Sequence, residues 1–176
     1  MRVGIVLLLL WVPLLTTLAP VRGADQALLW DVVESPKWEL TVRSIERRRE
    51  PLPAGGGQTV RPAGHWALFV VDLTNRTSRP LAPEAGDLVL RTGRGAASIN
   101  LAASGYGRAY AVSAGLTPFG EAVPPGATIT TLALFDIDGQ AGRLTLDFRP
   151  AGTSIRIDEC KCDLPSPVRE VTWPRS

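Results

Sequence analysis

The chain has 176 residues, with 19 Lys or Arg against 17 Asp or Glu, one His, two Cys and one Met. One domain of that size can bury a proper core, roughly two-thirds of its unfolded surface, and needs no disulfide framework. The inventory also excludes a blue-copper site, which takes two His, one Cys and usually a Met, because the chain has one His and its single Met is the initiator.

Met1-Arg2 forms a positive start, and residues 3–18 are an almost unbroken apolar stretch, interrupted by Trp11-Val12-Pro13 and Thr16-Thr17. Ala19-Pro20-Val21-Arg22-Gly23 follows, with Val21 and Gly23 where a signal peptidase reads small residues. Residues 1–23 therefore read as a secretory signal peptide, with cleavage expected after Gly23 or within a residue or two. A retained anchor fits less well. The run is shorter than the ~20 residues of a spanning helix, and Pro13 interrupts it. No Cys directly follows it and no second apolar run appears downstream, so neither lipoprotein processing nor membrane insertion after cleavage is expected. Removing Arg2 and Arg22 from the 19 basic residues leaves 17 against 17 acidic, a formally neutral mature chain. Nucleic acid is then not an expected partner, because recruiting phosphate needs a basic excess.

Residues 24–164 read as one all-β domain. Trp38-Glu39-Leu40-Thr41-Val42-Arg43 alternates apolar and polar, as a half-buried strand does. Arg47-Arg48-Arg49, between Glu46 and Glu50, reads as a solvated strand end. Residues 51–64, with Gly55-Gly56-Gly57, carry turn chemistry, as do 79–86, 93–95 and Pro124-Pro125-Gly126. Residues 66–73 and 129–137 are apolar on both faces and are expected as central strands. Shorter strands are expected near 87–91, 97–102 and 108–112, and alternating ones at 143–149 and 154–158. No helical periodicity persists for three turns, although 24–33 or 118–122 could hold a short helix. Seven or eight short strands with these separators predict a two-sheet antiparallel sandwich of immunoglobulin-like type. Residues 165–176, with three prolines, are expected to be an extended tail.

The order of an early Trp-x-Leu-x-Val strand, a Gly-rich loop, Gly64-His65-Trp66-Ala67-Leu68-Phe69-Val70-Val71-Asp72-Leu73-Thr74-Asn75-Arg76-Thr77, then Val123-Pro124-Pro125-Gly126-Ala127-Thr128 and Leu134-Phe135-Asp136-Ile137 is similar to a known pattern. It resembles a bacterial family of secreted immunoglobulin-like domains of unknown function, to which a mycobacterial immunoprotective antigen is related. The resemblance covers residues 38–149. It implies a β-sandwich, export and a role in binding or adhesion, and it supplies no catalytic residues. Cys-x-Cys and the long 51–64 segment lie outside the shared pattern.

Chemistry is sparse. His65 is the only histidine, no Gly-x-Ser-x-Gly elbow is present, and a strand-capping place beside Trp66 suits His65 better than catalysis. Asp136-Ile137-Asp138-Gly139 lacks the further oxygen ligands of a calcium loop and reads as a turn. Asn75-Arg76-Thr77 matches the glycosylation acceptor pattern, a match common by chance. Trp38 and Trp66 belong in the core, whereas Trp173, in the Pro-flanked tail, either packs back or anchors a partner.

Cys160-Lys161-Cys162 leaves three outcomes open. On an extended strand the two Cβ atoms lie about 7 Å apart, beyond disulfide reach, so an internal bridge requires a bend. A turn-pinning disulfide, a bridge between chains and a soft-metal thiolate pair compete; the metal ranks last, because two thiolates make an incomplete zinc site.

The expected function is an exported, non-catalytic binding module with no cofactor and no metal, acting on an unidentified protein or envelope component. The loops at 51–64 and 79–87, on one end of the sandwich, are the expected contact surface, with Gly55, Gly56, Gly57 and Trp173 as contacts. Two alternatives belong to other classes: a redox or metal-handling protein using Cys160 and Cys162, and a structural part of a cell-envelope assembly.

Overall fold

The computed structural model describes residues 26–27, 31–138 and 142–157. The proposed signal peptide, Cys160, Cys162, Trp173 and the tail lie outside the described residues.

Among the described residues eleven strands run in chain order: β1 (Gln26–Ala27), β2 (Val32–Glu34), β3 (Trp38–Arg48), β4 (Leu52–Gly55), β5 (Gln58–Val60), β6 (His65–Asn75), β7 (Leu88–Thr92), β8 (Ala97–Ile99), β9 (Thr128–Ile137), β10 (Leu144–Phe148) and β11 (Thr153–Ile157). Among the described residues the one α-helix, α1 (Gly105–Ser113), falls between β8 and β9. A first sheet has the order β1-β11-β10-β7-β8, and a second β2-β3-β6-β9. Pairings within the two sheets are antiparallel except β1 with β11. This is the all-β, immunoglobulin-like two-sheet sandwich the alternating segments predict.

The core lies between the sheets. Phe69, Val71 and Leu73 of β6 and Ala133 and Phe135 of β9 are buried opposite Leu88 and Leu90 of β7 and Leu144, Leu146 and Phe148 of β10. Phe69 and Phe135 meet edge to face, with centroids 5.7 Å apart, the arrangement favoured by the ring quadrupole. Each such side chain contributes about 1.5–3 kcal/mol through its apolar burial. In β3 the extra residue Arg43 forms a bulge, so that Val42 pairs with Val71 but Ser44 with Val70. The bulge reverses the facing of the strand. Trp38, Leu40 and Val42 point inward before it; Arg48 shares the outer face with its partner Trp66 after it.

Four expectations are corrected. Residues 108–112, read as a strand, form the body of α1. The Ser104 hydroxyl caps the helix by accepting from Gly107 N–H at 3.2 Å, and Arg108, Ala109 and Ala111 are good helix formers. Residues 51–64 are not simply a loop: β4 and β5 form a hairpin there, and Leu52 is fully buried at its root. Residues 131–135 are buried on both faces as expected, yet β9 is the last strand of its sheet and not a central one. Neither 118–122 nor the described part of 24–33 is helical; the latter supplies β1 and β2.

The end of β6 distant from the hairpin is tied by Asn75. Its Nδ2 donates to the carbonyls of Arg79 and Val123, both at 2.8 Å, and its Oδ1 accepts from Thr77 N–H at 2.9 Å. Backbone bonds between Leu81 and Val123, at 2.8 and 3.1 Å, close the same knot. Asn75 is fully buried, so in the folded domain its amide is structural and closed to glycosylation. Asn75→Ala would remove both Nδ2 bonds and leave Thr77 N–H without its acceptor, a penalty of about 1–3 kcal/mol, although the Val123 carbonyl keeps Leu81 N–H and the Arg79 carbonyl keeps the Thr77 hydroxyl. Urea unfolding should show a loss of about 1–3 kcal/mol.

Candidate functional site

The outer face of β6 and β9 is apolar at the hairpin end, where Trp66, Leu68, Leu132 and Leu134 are all buried. Apolar side chains on a sheet's second face need a second cover. Helix α1 and the β4–β5 hairpin supply it, packing on each other and, through α1, on β9. Trp66 meets Tyr106 with ring centroids 5.9 Å apart. Gly107 lets the helix approach the preceding chain: a Cβ there would sit 2.5 Å from the Leu101 carbonyl oxygen and 2.7 Å from Ala102 Cα.

Polar groups fasten the edge of this cap. Arg48 reaches the Tyr110 hydroxyl at 3.4 Å and lies 3.7 Å from Glu46 and 3.5 Å from Glu50. Burial pushes the Tyr110 phenol above its ordinary pKa, with Arg48 opposing the shift. Arg47 donates to the Gly142 carbonyl at 2.9 Å, and Arg49 Nε donates to His65 Nε2 at 2.5 Å. The basic run is therefore a set of three different ties rather than a uniformly solvated strand end.

Beside the cap lies an open depression lined by Arg49, Ala63, Gly64, His65, Asp136, Ile137 and Asp138. It gathers the only histidine with two carboxylates, a grouping the residue spacing did not suggest. Their chemistry is already engaged. Asp136 accepts from Ala63 N–H at 2.8 Å and Gly64 N–H at 3.3 Å, which fixes the neck of the hairpin to β9. Asp138 faces Arg94 at 3.6 Å. Among the described residues no group of three or more His, Cys, Asp or Glu is placed to hold a metal, and no helix is long and apolar enough to cross a membrane.

Gly55, Gly56 and Gly57 form the exposed hairpin tip, all at positive φ. Gly55 approaches Ala109 of α1, whereas a Cβ at Gly56 or Gly57 would meet nothing within 4 Å. The expectation that segments 51–64 and 79–87 share one end is corrected. The eleven residues of β6 separate them, roughly 35 Å of extended chain, so they lie at opposite ends. The signal for the missed cap lay in the even-numbered apolar residues of 66–73 and 129–137, which announce a second cover without saying what supplies it.

No family model and no curated protein matches the sequence. Solved structures share the fold at low identity. A conserved hypothetical protein from Bacillus anthracis aligns with a TM-score of 0.56 at 14% identity, over 76% of this chain and 96% of its own. The secreted protein MPT63 of Mycobacterium tuberculosis gives 0.53 at 14%, over 77% and 100%. An uncharacterised β-sandwich protein from Clostridium difficile gives 0.51 at 13%, over 76% and 95%.

Two results should follow from the cap. Gly107→Ala should destabilise the domain by about 1–3 kcal/mol, as overpacking does, and should red-shift tryptophan emission as Trp66 becomes wetted. Because the folded Tyr110 pKa is raised, its contribution is fully present below the unfolded value near 10 and is lost as pH rises through the folded value. Tyr110→Phe should therefore unfold less steeply above about pH 10 than the wild type in a pH-dependent melting series.

Proposed function

We propose that the chain is an exported, non-catalytic binding module that meets a protein or envelope partner with its hairpin tip. The observation that carries this reading is the mounting of that tip. Exposed Gly56 and Gly57 present free backbone, while the hairpin's root is fixed by fully buried Leu52, by Asp136 at its neck and by packing on α1. A rigidly supported exposed loop loses little entropy on binding. The polar groups beside it hold the hairpin in place and leave no nucleophile aligned with a base, which supports binding over catalysis.

Export rests on the N-terminal pattern of charge, apolar stretch and small residues. The likeness to a secreted mycobacterial sandwich agrees with it. The fold by itself assigns no ligand.

The test is cross-linking capture from an envelope and culture-medium fraction, comparing wild type with Gln58→Arg/Thr59→Glu. Both positions are exposed on the hairpin, so the fold and melting temperature should not change. Capture of any specific partner should fall at least about tenfold, the effect of losing about 1.4 kcal/mol. Undiminished capture by the folded variant would move the contact surface away from the hairpin.

A further inference from the structure

We propose that the depression at the foot of the hairpin is a binding site for a carboxylate presented by a partner protein, with the Arg49 guanidinium as the group that grips it. That a protein presents the carboxylate rests on the binding-module reading; the site itself does not. Arg49 follows β3 and His65 opens β6, so the chain leaves the sheet at one and returns to it at the other. Their side chains clasp the hairpin's foot, with Arg49 Nε donating to His65 Nε2 at 2.5 Å. The two Nη groups of Arg49 make no hydrogen bond or ion pair with any described residue.

The nature of that anchor matters. An imidazole brings no negative charge, so it orients the guanidinium without neutralising it. Arg48, one residue earlier, is instead surrounded by Tyr110, Glu46 and Glu50. A guanidinium held at Nε and open at both Nη groups is set for two parallel bonds to a planar oxyanion.

Two carboxylates line the same depression, and Arg49 is paired with neither. Asp136 gives one oxygen to Ala63 N–H and the other to Gly64 N–H. Asp138 faces Arg94 at 3.6 Å. The negative groups are thus engaged while the positive one is open. Their field still selects the ligand: a phosphate group, at about −1.5 to −2, meets it with nearly twice the charge of a carboxylate. Space is already present. The depression holds about 760 Å³ and opens to solvent, so an Asp or Glu side chain enters without displacing any segment. The hairpin tip offers a partner only backbone, and Arg49 supplies the charge that selects an acidic one.

The experiment is an NMR titration of the isotope-labelled protein with sodium acetate, and with sodium chloride at matched ionic strength, read at the Arg49 Nε–H and at the amides of Gly64 and Ile137. Acetate should shift these signals saturably and chloride should not. A blocked tripeptide with a central Glu should bind at least as tightly as acetate. Arg49→Lys, which keeps the charge and loses the fork, should weaken both ligands by about fivefold or more. His65→Ala should weaken them too, and His65→Gln, which retains an acceptor, should restore binding. A response to acetate no different from that to chloride would overturn the site, as would unchanged affinity in the folded Arg49→Lys variant. Inorganic phosphate binding more tightly than acetate would overturn the carboxylate assignment. Acetate binding with the tripeptide excluded would overturn the protein partner in favour of a free small acid. The titration needs no partner, so its outcome is independent of whether the hairpin tip captures one.

Discussion

The pair β6 and β9 is apolar on both faces, and that constraint organises the rest of the molecule. One cover is the opposing sheet, which buries Phe69, Val71, Ala133 and Phe135. The other is the hairpin and α1, which bury Trp66, Leu68 and Leu134 on the reverse side. A sandwich usually leaves its second faces to solvent. Here one of them becomes a second, smaller core, and the segments that build it also carry the exposed tip and close the free edge of β9.

Polar side chains state where that second cover stops. Toward the Asn75 end of β6 the outer face changes character: Arg43 pairs with Asp72, Thr130 donates to Asp72 at 2.8 Å, and the Thr74 and Thr128 hydroxyls meet at 2.8 Å. The first sheet is marked in the same way, with Arg91 and Ser154 both bonded to Asp147 across three strands. These exposed pairs add little stability. Their effect is on register, since slipping a strand by one residue would turn these charges into the core.

Much of the sandwich was legible because period-two alternation is a local signal: 38–42 and 144–148 bury alternate residues as their sequence indicates. The turn role of Asn75 was also readable, although its depth of burial depends on Arg79 and Val123, which no local pattern connects to it. Helix α1 was not legible. Gly105 and Gly107 weaken its propensity, its apolar residues repeat no clear stripe, and what holds it is contact with β4 and β9, distant in sequence. The edge position of β9 was hidden for a related reason. Burial on both faces normally marks a central strand, and here a non-strand segment supplies the missing neighbour. The depression joining Arg49, His65 and Asp136 depends on the hairpin folding back, so spacing alone could not assemble it.

Hydrogen exchange on the native domain measures most directly whether the cap is a true second core. Amides of residues 66–71 and 131–136 should exchange slowest, and those of α1 from Arg108 onward should be protected to a similar degree, opening only with the whole domain. Exchange of α1 and the hairpin orders of magnitude faster than β6, with β6 itself still protected, would show a peripheral flap resting on the sheet and would contradict the account.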